Sequence, residues 1–364
     1  MPRPIRATIS TAALAHNLAI ARQQAGAAKI WAVVKANAYG HGLLRAAGAL
    51  READGFALLD FVDALRLRGV GVDKPILMLE GFFKPEDIAL LLRHRLTPVI
   101  HNMEQIEMLE KAADADMRAG RLDVYLKVNS GMNRLGFAVD NVRLAWNALQ
   151  GNPGIASVTL MTHFADADGD GGIAAQLQWF NELTQPFTTT SPVPRSLANS
   201  AALLRFAEEA CADWVRPGIM LYGCSPLPFR SAEEIGLRPA MTLAAEIIDV
   251  QNLQAGERVG YGMTYEAAQE MTIGVVACGY ADGYPRHAPS GTPVLVAGQR
   301  TRTVGRVSMD MLCVDISDIP EAYVGTPVTL WGEGLPCDEV AQAAGTLSYQ
   351  LLCALAPRVP VVEI

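Results

Sequence analysis

As far as Ala232 the chain alternates short apolar, β-branched runs with segments of helical spacing, and this alternation limits the fold more than any other feature. The strand-like runs are Ile30–Lys35, Gly55–Leu59, Pro75–Leu79, Thr97–His101, Leu122–Val128, Ala156–His163, Pro194–Asn199 and Asp213–Pro217. Helical segments between them include Asp60–Arg68, Asn102–Ala113 and Lys84–Arg93, the last with Pro85 in its first turn, where proline is tolerated. Strands that alternate with helices pair in parallel through right-handed crossovers. Eight such units suggest a closed (β/α)8 TIM-like barrel, with an open doubly wound sheet as the alternative.

Beyond Ala232 the texture changes. Met241–Val250, Thr272–Cys278, Pro293–Val296, Leu312–Asp315 and Pro327–Trp331 read as strands, separated by turn residues such as Ala297-Gly298 and Gly332-Glu-Gly334. The expected organisation is a barrel over 1–232 and a mainly β domain over 233–364, packed directly without a linker. At 364 residues, half of them hydrophobic, the chain can bury two cores. The net charge of −8 and the lack of any Lys/Arg-rich run argue against nucleic-acid or membrane-surface partners. Six cysteines without a CxxC pair suggest neither a disulfide framework nor a metal site. The N-terminus has no apolar signal region and no run reaches the ~20 residues of a bilayer span, so a cytoplasmic location is expected.

In a parallel barrel the functional residues sit at the carboxyl ends of the strands. Lys35 ends the first run, Lys127 lies near the end of the fifth, and Arg134 is in the loop after it. His163 ends the sixth, Asn199 and Ser200 follow the seventh, and Arg216 and Gly218 close the eighth. Lys35 is the sharpest signal. An ammonium group at the end of a strand buried on both faces must be paired, solvated or deprotonated, and a neutral amine is what attacks an aldehyde; the plainer reading is a lysine that snorkels to solvent. Gly218 and Ile219 offer backbone N–H groups to an anion, and Ser200 is either the N-cap of a helix over Ser200–Ala210 or a hydroxyl donor to phosphate. Phosphate donors beside a strand-end lysine suggest a phosphorylated aldehyde cofactor. His163 is suited to stack on its ring, or to be an ordinary core histidine. Arg216 is suited to meet the ring nitrogen, where its fixed positive charge disfavours protonation of the ring.

Nine stretches in order resemble the alanine racemase family, among them Val34-Lys35-Ala-Asn-Ala-Tyr39-Gly-His-Gly42, Lys127-Val-Asn-Ser-Gly-Met-Asn-Arg134, Val215-Arg216-Pro-Gly218-Ile219, Val259-Gly-Tyr261-Gly-Met-Thr-Tyr265, Gly279-Tyr-Ala-Asp-Gly-Tyr284 and Ser308-Met309-Asp310. The resemblance implies pyridoxal 5′-phosphate bound covalently to Lys35, with Tyr39, His163, Asn199, Ser200, Arg216, Gly218, Ile219 and Tyr349 around it. It implies Lys35 and Tyr261 as the two proton-transfer bases, and Arg134 with the Met309 backbone as the substrate holders. Lys127 resembles the position that is carbamylated in many members, and Tyr265 and Tyr284 resemble entrance residues. The resemblance further implies a head-to-tail homodimer in which Tyr261, with Met309 nearby, would reach the site of the other subunit. The resemblance also implies alanine as the small-molecule substrate, with the product serving D-alanine supply for peptidoglycan or D-alanine degradation.

Racemisation removes a proton from one face of the α-carbon and delivers one to the other, so two bases are needed. Lys35 is expected to serve the D-amino acid and Tyr261 the L-amino acid. Competing readings are a broad-specificity amino-acid racemase, a barrel-fold amino-acid decarboxylase and a non-enzymatic cofactor carrier. A decarboxylase gains from a protonated pyridine and a carboxylate at the ring nitrogen, so Arg216 favours the racemase.

Overall fold

The computed structural model describes residues 3–112, 120–189 and 191–364. The first strand, β1 (Ile5–Ile9), precedes eight strands that close into a parallel barrel: β2 (Lys29–Val33), β3 (Gly55–Leu58), β4 (Ile76–Met78), β5 (Leu96–Ile100), β6 (Leu122–Lys127), β7 (Ile155–Met161), β8 (Arg195–Asn199) and β9 (Trp214–Arg216). Closure is made by β9 pairing with β2, with Lys29 opposite Trp214 and Ile30 opposite Val215. Every residue of β3 and β4 is buried, as expected of strands covered on both faces. Trp31 stacks on Trp214 at 4.2 Å and donates its indole N–H to the Tyr125 hydroxyl at 2.9 Å, which ties three strands together. All eight runs singled out in the sequence are barrel strands, to within a few residues at each end. The helix expected over Asn102–Ala113 is Met103–Ala112; Ala113 lies outside the described residues.

The second part of the chain supplies β10 (Met241–Leu253), the two-stranded ribbon β11 (Arg258–Val259) and β12 (Tyr265–Glu266), then β13 (Met271–Val276), β14 (Pro293–Val296), β15 (Gln299–Val304), β16 (Leu312–Asp315), β17 (Pro327–Trp331) and β18 (Val361–Glu363). Apart from the ribbon these form one sheet with β1, in the order β13-β16-β15-β14-β17-β10-β1-β18. The assignment of residues 1–232 to the barrel needs a correction here. β1 pairs antiparallel with β10 and parallel with β18, so the start of the chain belongs to the β domain. The reason is in its pattern: Ile5, Ala7 and Ile9 are buried while Arg6 is exposed, a strand with one wet face rather than a barrel strand.

One continuous core runs through both parts, from Ile5 and Trp31 to Trp331 and Val359, so barrel and sheet pack directly on each other. A small satellite core of Val259, Ala267, Met271, Ile273 and Val304 supports the ribbon that carries Tyr261. Among the described residues no helix is long and apolar enough to cross a membrane.

Candidate active site

The strand expected to run through Lys35 ends at Val33, and the chain then makes a left-handed turn. Ala36, Asn37 and Ala38 all have φ of 54° and Tyr39 has 51°. Four consecutive non-glycine residues in this region cost about 1–2 kcal/mol each, so the surroundings must impose the turn. They do so at several points. The Asn37 carboxamide accepts from the Leu43 N–H at 2.9 Å, and Tyr39 stacks on Tyr222 at 4.6 Å, whose hydroxyl donates to the Val33 carbonyl at 2.8 Å. Gly40 (φ 80°) lies against the Leu352 carbonyl, where a Cβ has no room. Gly40→Ala should therefore destabilise the protein by more than about 1 kcal/mol, read as a lower unfolding midpoint in denaturant; an unchanged midpoint would mean that the turn relaxes freely.

His41 locks the same turn. Its ring is fully buried, and Nδ1 donates to the Tyr39 carbonyl at 2.9 Å and the Ala38 carbonyl at 3.1 Å, while Nε2 has no partner among the described residues. Burial outweighs the two carbonyl contacts and pushes the imidazole down to about 4. Between pH 6.5 and 4 the unfolded chain therefore binds a proton that the folded one refuses. Stability from this group is full above about pH 6.5 and falls by about 3 kcal/mol as pH drops toward 4. Denaturant titrations across that window should show a shallower fall for His41→Asn, whose amide can still donate to the carbonyls but does not titrate.

Lys35, Lys127, Arg134, His163 and Arg216 meet at the carboxyl ends of the barrel strands, close enough for their charges to bear on one another. Lys35 is half-buried, and its amine is lowered by burial first and then by Arg134. Lys127 is buried and makes no ion pair among the described residues; burial, then Arg216, Arg134 and Lys35, push it down to about 8. Arg216 is buried too. It donates to the carbonyls of Ser196 (2.7 Å), Thr162 (2.7 Å) and Leu197 (3.2 Å) and to the Ser196 hydroxyl (2.8 Å), and burial lowers it to about 10. Its Nη2 also lies 3.3 Å from Nδ1 of His163, which burial and the surrounding cations hold well below its ordinary value and therefore neutral. Arg134 is exposed at the end of a loop that Asn129 organises, its Oδ1 accepting from the N–H groups of Gly131 (3.1 Å) and Asn133 (3.0 Å).

The two readings of Ser200 separate in the structure. Asn199 is the N-cap of Ser200–Arg205, accepting from the Ala202 N–H at 2.9 Å, and the Ser200 hydroxyl instead accepts from the Gly218 N–H at 2.8 Å. The helix also stops at Arg205, and Ala207–Ala210 is a separate turn. A Cβ on Gly218 would stand 2.6 Å from the Tyr39 hydroxyl oxygen, so any other residue there has to displace the Tyr39 ring. Ile219 opens the 3-10 turn Ile219–Tyr222, so its N–H has no acceptor within the turn. Tyr349 approaches Tyr39 with ring centroids 6.1 Å apart. These hydroxyl and N–H donors gather between β8, β9 and the left-handed turn.

The β-domain residues divide differently. Tyr261 is 70% exposed, on a 3-10 turn between β11 and β12. Met309 is exposed, and its carbonyl is taken by the Ala281 N–H at 2.9 Å, which leaves its own N–H as the group able to hold a ligand. Tyr265 is half-buried beside the satellite core. Tyr284 corrects an expectation: read as an entrance residue, it is 1% exposed, with its ring on Trp331 and its hydroxyl unpartnered among the described residues. The exposed tyrosine of that motif is Tyr280, on the 3-10 turn Tyr280–Asp282. Glu80, in the loop after β4, also escaped the sequence reading, although the strand-end rule that found Lys35 applies to it equally.

The alanine racemase N-terminal domain family model matches residues 9–226, and the alanine racemase C-terminal domain model matches residues 240–363. The chain belongs to the alanine racemase family. An alanine racemase of Nitrosospira multiformis is 57% identical over 361 residues, covering 98% of this chain and 99% of the relative. That of Ralstonia nicotianae is 56% identical over 366 residues, with 99% and 95% covered. Among solved structures, the biosynthetic alanine racemase from Pseudomonas aeruginosa superposes with a TM-score of 0.94 at 48% identity, covering 100% of this chain and 99% of the other.

Proposed function

We propose that this chain interconverts L-alanine and D-alanine in the cytoplasm, with pyridoxal 5′-phosphate on Lys35, as a homodimer in which each site is completed by Tyr261 of the partner subunit. The observation that carries the reading is the pair Lys35 and Arg216. Lys35 presents a lowered amine at a barrel mouth, and Arg216 is a buried guanidinium satisfied by carbonyls and a hydroxyl, with no carboxylate partner among the described residues. The residues fit a phosphorylated pyridine aldehyde. The Ser200 hydroxyl and the Ile219 N–H, with Tyr39 and Tyr349 beside them, are suited to donate to a phosphate, the Gly218 N–H would have to exchange its Ser200 acceptor for a phosphate oxygen, and the neutral His163 ring is suited to stacking. When bound, the cofactor supplies an electron sink that acidifies the α-proton of an attached amino acid. An unprotonated ring is a weaker sink, and Arg216 disfavours its protonation, which suits proton exchange better than loss of carbon dioxide.

Lys35, as a neutral amine, takes the α-proton from one face of the substrate and, as an ammonium group, returns it. Tyr261, as phenolate, does the same on the opposite face. Arg134 holds the substrate carboxylate with its planar donor fork, and the Met309 N–H assists. The neutral fraction of the Lys127 amine adds carbon dioxide to give a carbamate anion that orients Arg134. Support for the dimer comes from the exposure of Tyr261 (70%), Met263 (65%) and Met309 (53%), apolar surface that a single chain leaves in water.

The test is solvent-deuterium exchange at the α-carbon of each alanine enantiomer, with products separated by chiral chromatography. Exchange with inversion from both enantiomers is expected. An amine product with carbon dioxide release would make the chain a decarboxylase, and turnover of larger amino acids at similar rates would make it a broad-specificity racemase.

A further inference from the structure

We propose that Asp282 is a positioning residue for substrate binding: together with Arg3 and Arg358 it holds the turn that sets the direction of the Met309 N–H. This role rests on the reading of Met309 as a substrate holder given above.

The β13–β16 register pairs Val276 with Leu312, so the turn after β13 and the turn before β16 leave the sheet side by side. They are in close contact, for the carbonyls of Ser308 and Met309 occupy the space that a Cβ on Gly279 would need. The 3-10 turn Tyr280–Asp282 presents its first N–H groups to that neighbour. Tyr280 N–H donates to the Ser308 carbonyl at 3.0 Å and Ala281 N–H to the Met309 carbonyl at 2.9 Å. A trans peptide carries its C=O and its N–H on opposite edges of one plane, and there is no cis peptide among the described residues. With the Ser308 carbonyl held toward the turn, the Met309 N–H faces away from it, and it has no acceptor among the described residues. An amide fixed in this way meets a carboxylate without first losing the freedom to rotate.

A buried carboxylate holds the turn in place. Asp282 is fully buried; its Oδ2 accepts from the Gly279 N–H at 2.9 Å, and its Oδ1 from Arg3 Nη1 at 2.9 Å and Arg358 Nε at 2.7 Å. The same two guanidinium groups reach the other turn. Arg358 Nη2 meets the Asp310 carboxylate at 2.7 Å, and Arg3 Nη2 donates to the Asp310 carbonyl at 2.6 Å. Met309 is thus clamped on both sides, through Ser308 by the Tyr280 turn and through Asp310 by the two arginines. A carboxylate buried this deeply needs charged partners in fixed geometry, and the planar fork of arginine supplies it. Arg3 and Arg358 also stand just before β1 and β18, so the plainer role of the network is to pin the two ends of the chain.

The experiment uses the holoenzyme as wild type, Asp282→Asn, Arg358→Lys and the double variant. Hydrogen exchange, read by mass spectrometry at the peptide that carries Tyr280 and Ala281, reports on the turn without reference to substrate. It should quicken about tenfold in Asp282→Asn and less in Arg358→Lys, whose ammonium group lacks the fork that meets Asp282 and Asp310 together. Kinetics then read the Met309 N–H. A carboxylate contact is made in the ground state and the transition state alike, so KM for both alanine enantiomers should rise roughly tenfold in Asp282→Asn while kcat stays within about twofold. The double variant should be no worse than Asp282→Asn, because both changes open one clamp. A network that only pins the chain ends would lower the melting temperature and leave KM unchanged. Unchanged exchange in Asp282→Asn overturns the clamp. Faster exchange with KM unchanged removes Met309 as a substrate holder, and the positioning role with it, while racemisation by the wild type stands; a fall in kcat alone overturns the link to substrate binding. If Asp282→Asn does not fold, Arg358→Lys decides on the same two readings.

Discussion

Replacing Lys35 with alanine should lower racemisation by at least about 10³-fold, since on the proposed mechanism the change removes both a proton-transfer base and the group that would hold the cofactor covalently. The same substitution should leave folding stability intact or slightly improved. Lys35 makes no ion pair among the described residues and stands in a cationic cluster, where burial and Arg134 already disfavour its charge. Its removal also relieves Lys127 and His163, both of which its charge pushes down. Loss of rate without loss of stability is what separates a functional lysine from one that snorkels to solvent. Chiral chromatography of the products and a denaturant titration of the same preparation read the two quantities together. A small primary amine added to the variant should restore part of the rate by resupplying a base, whereas a structural defect has no reason to respond. Retention of a tenth or more of the wild-type rate would remove Lys35 from the centre of the mechanism.

The barrel was legible because its strands are buried on both faces and so read as apolar runs, such as Gly55-Phe-Ala-Leu58 and Ile76-Leu-Met78. The β domain was legible where an apolar run met a glycine turn, as at Pro293–Val296 followed by Ala297-Gly298. Three strands of the sheet escaped, β1, β15 and β18, the first two for opposite reasons. β15, Gln-Arg-Thr-Arg-Thr-Val, is mostly polar and takes its place from its neighbours, and β1 finds its antiparallel partner more than two hundred residues along the chain, a pairing no local pattern encodes.

The left-handed turn after Lys35 was invisible for a sharper reason. Ala36, Asn37, Ala38 and Tyr39 contain no glycine, and contacts made by Leu43, Tyr222 and His41 hold them at positive φ. The same physics explains the site. Residues found by chemistry and strand position, Lys35, Lys127, His163 and Arg216, do meet in space. Roles that depend on which way a side chain faces did not follow from the sequence: Tyr284 is buried where Tyr280 is exposed, and Asn199 rather than Ser200 caps its helix.

Mixing two inactive variants should recover activity. Tyr261→Phe alone is expected to stop deuterium exchange from L-alanine while exchange from D-alanine continues through Lys35, because on the proposed mechanism each base serves one face of the substrate. If each site takes Lys35 from one subunit and Tyr261 from the other, a mixed dimer of Lys35→Ala and Tyr261→Phe carries one site with both bases and one with neither. Random re-pairing of equal amounts makes half the dimers mixed, so racemisation should return to about a quarter of the wild-type rate. The exposure of Tyr261 on its ribbon, a ring that a single chain leaves in water, is the reason to expect this rather than two self-contained sites. Native mass spectrometry of the mixture shows whether mixed dimers have formed. Mixed dimers without recovered racemisation would place both bases in one chain, and equal loss of exchange from both enantiomers in Tyr261→Phe would end the division of labour between the two faces.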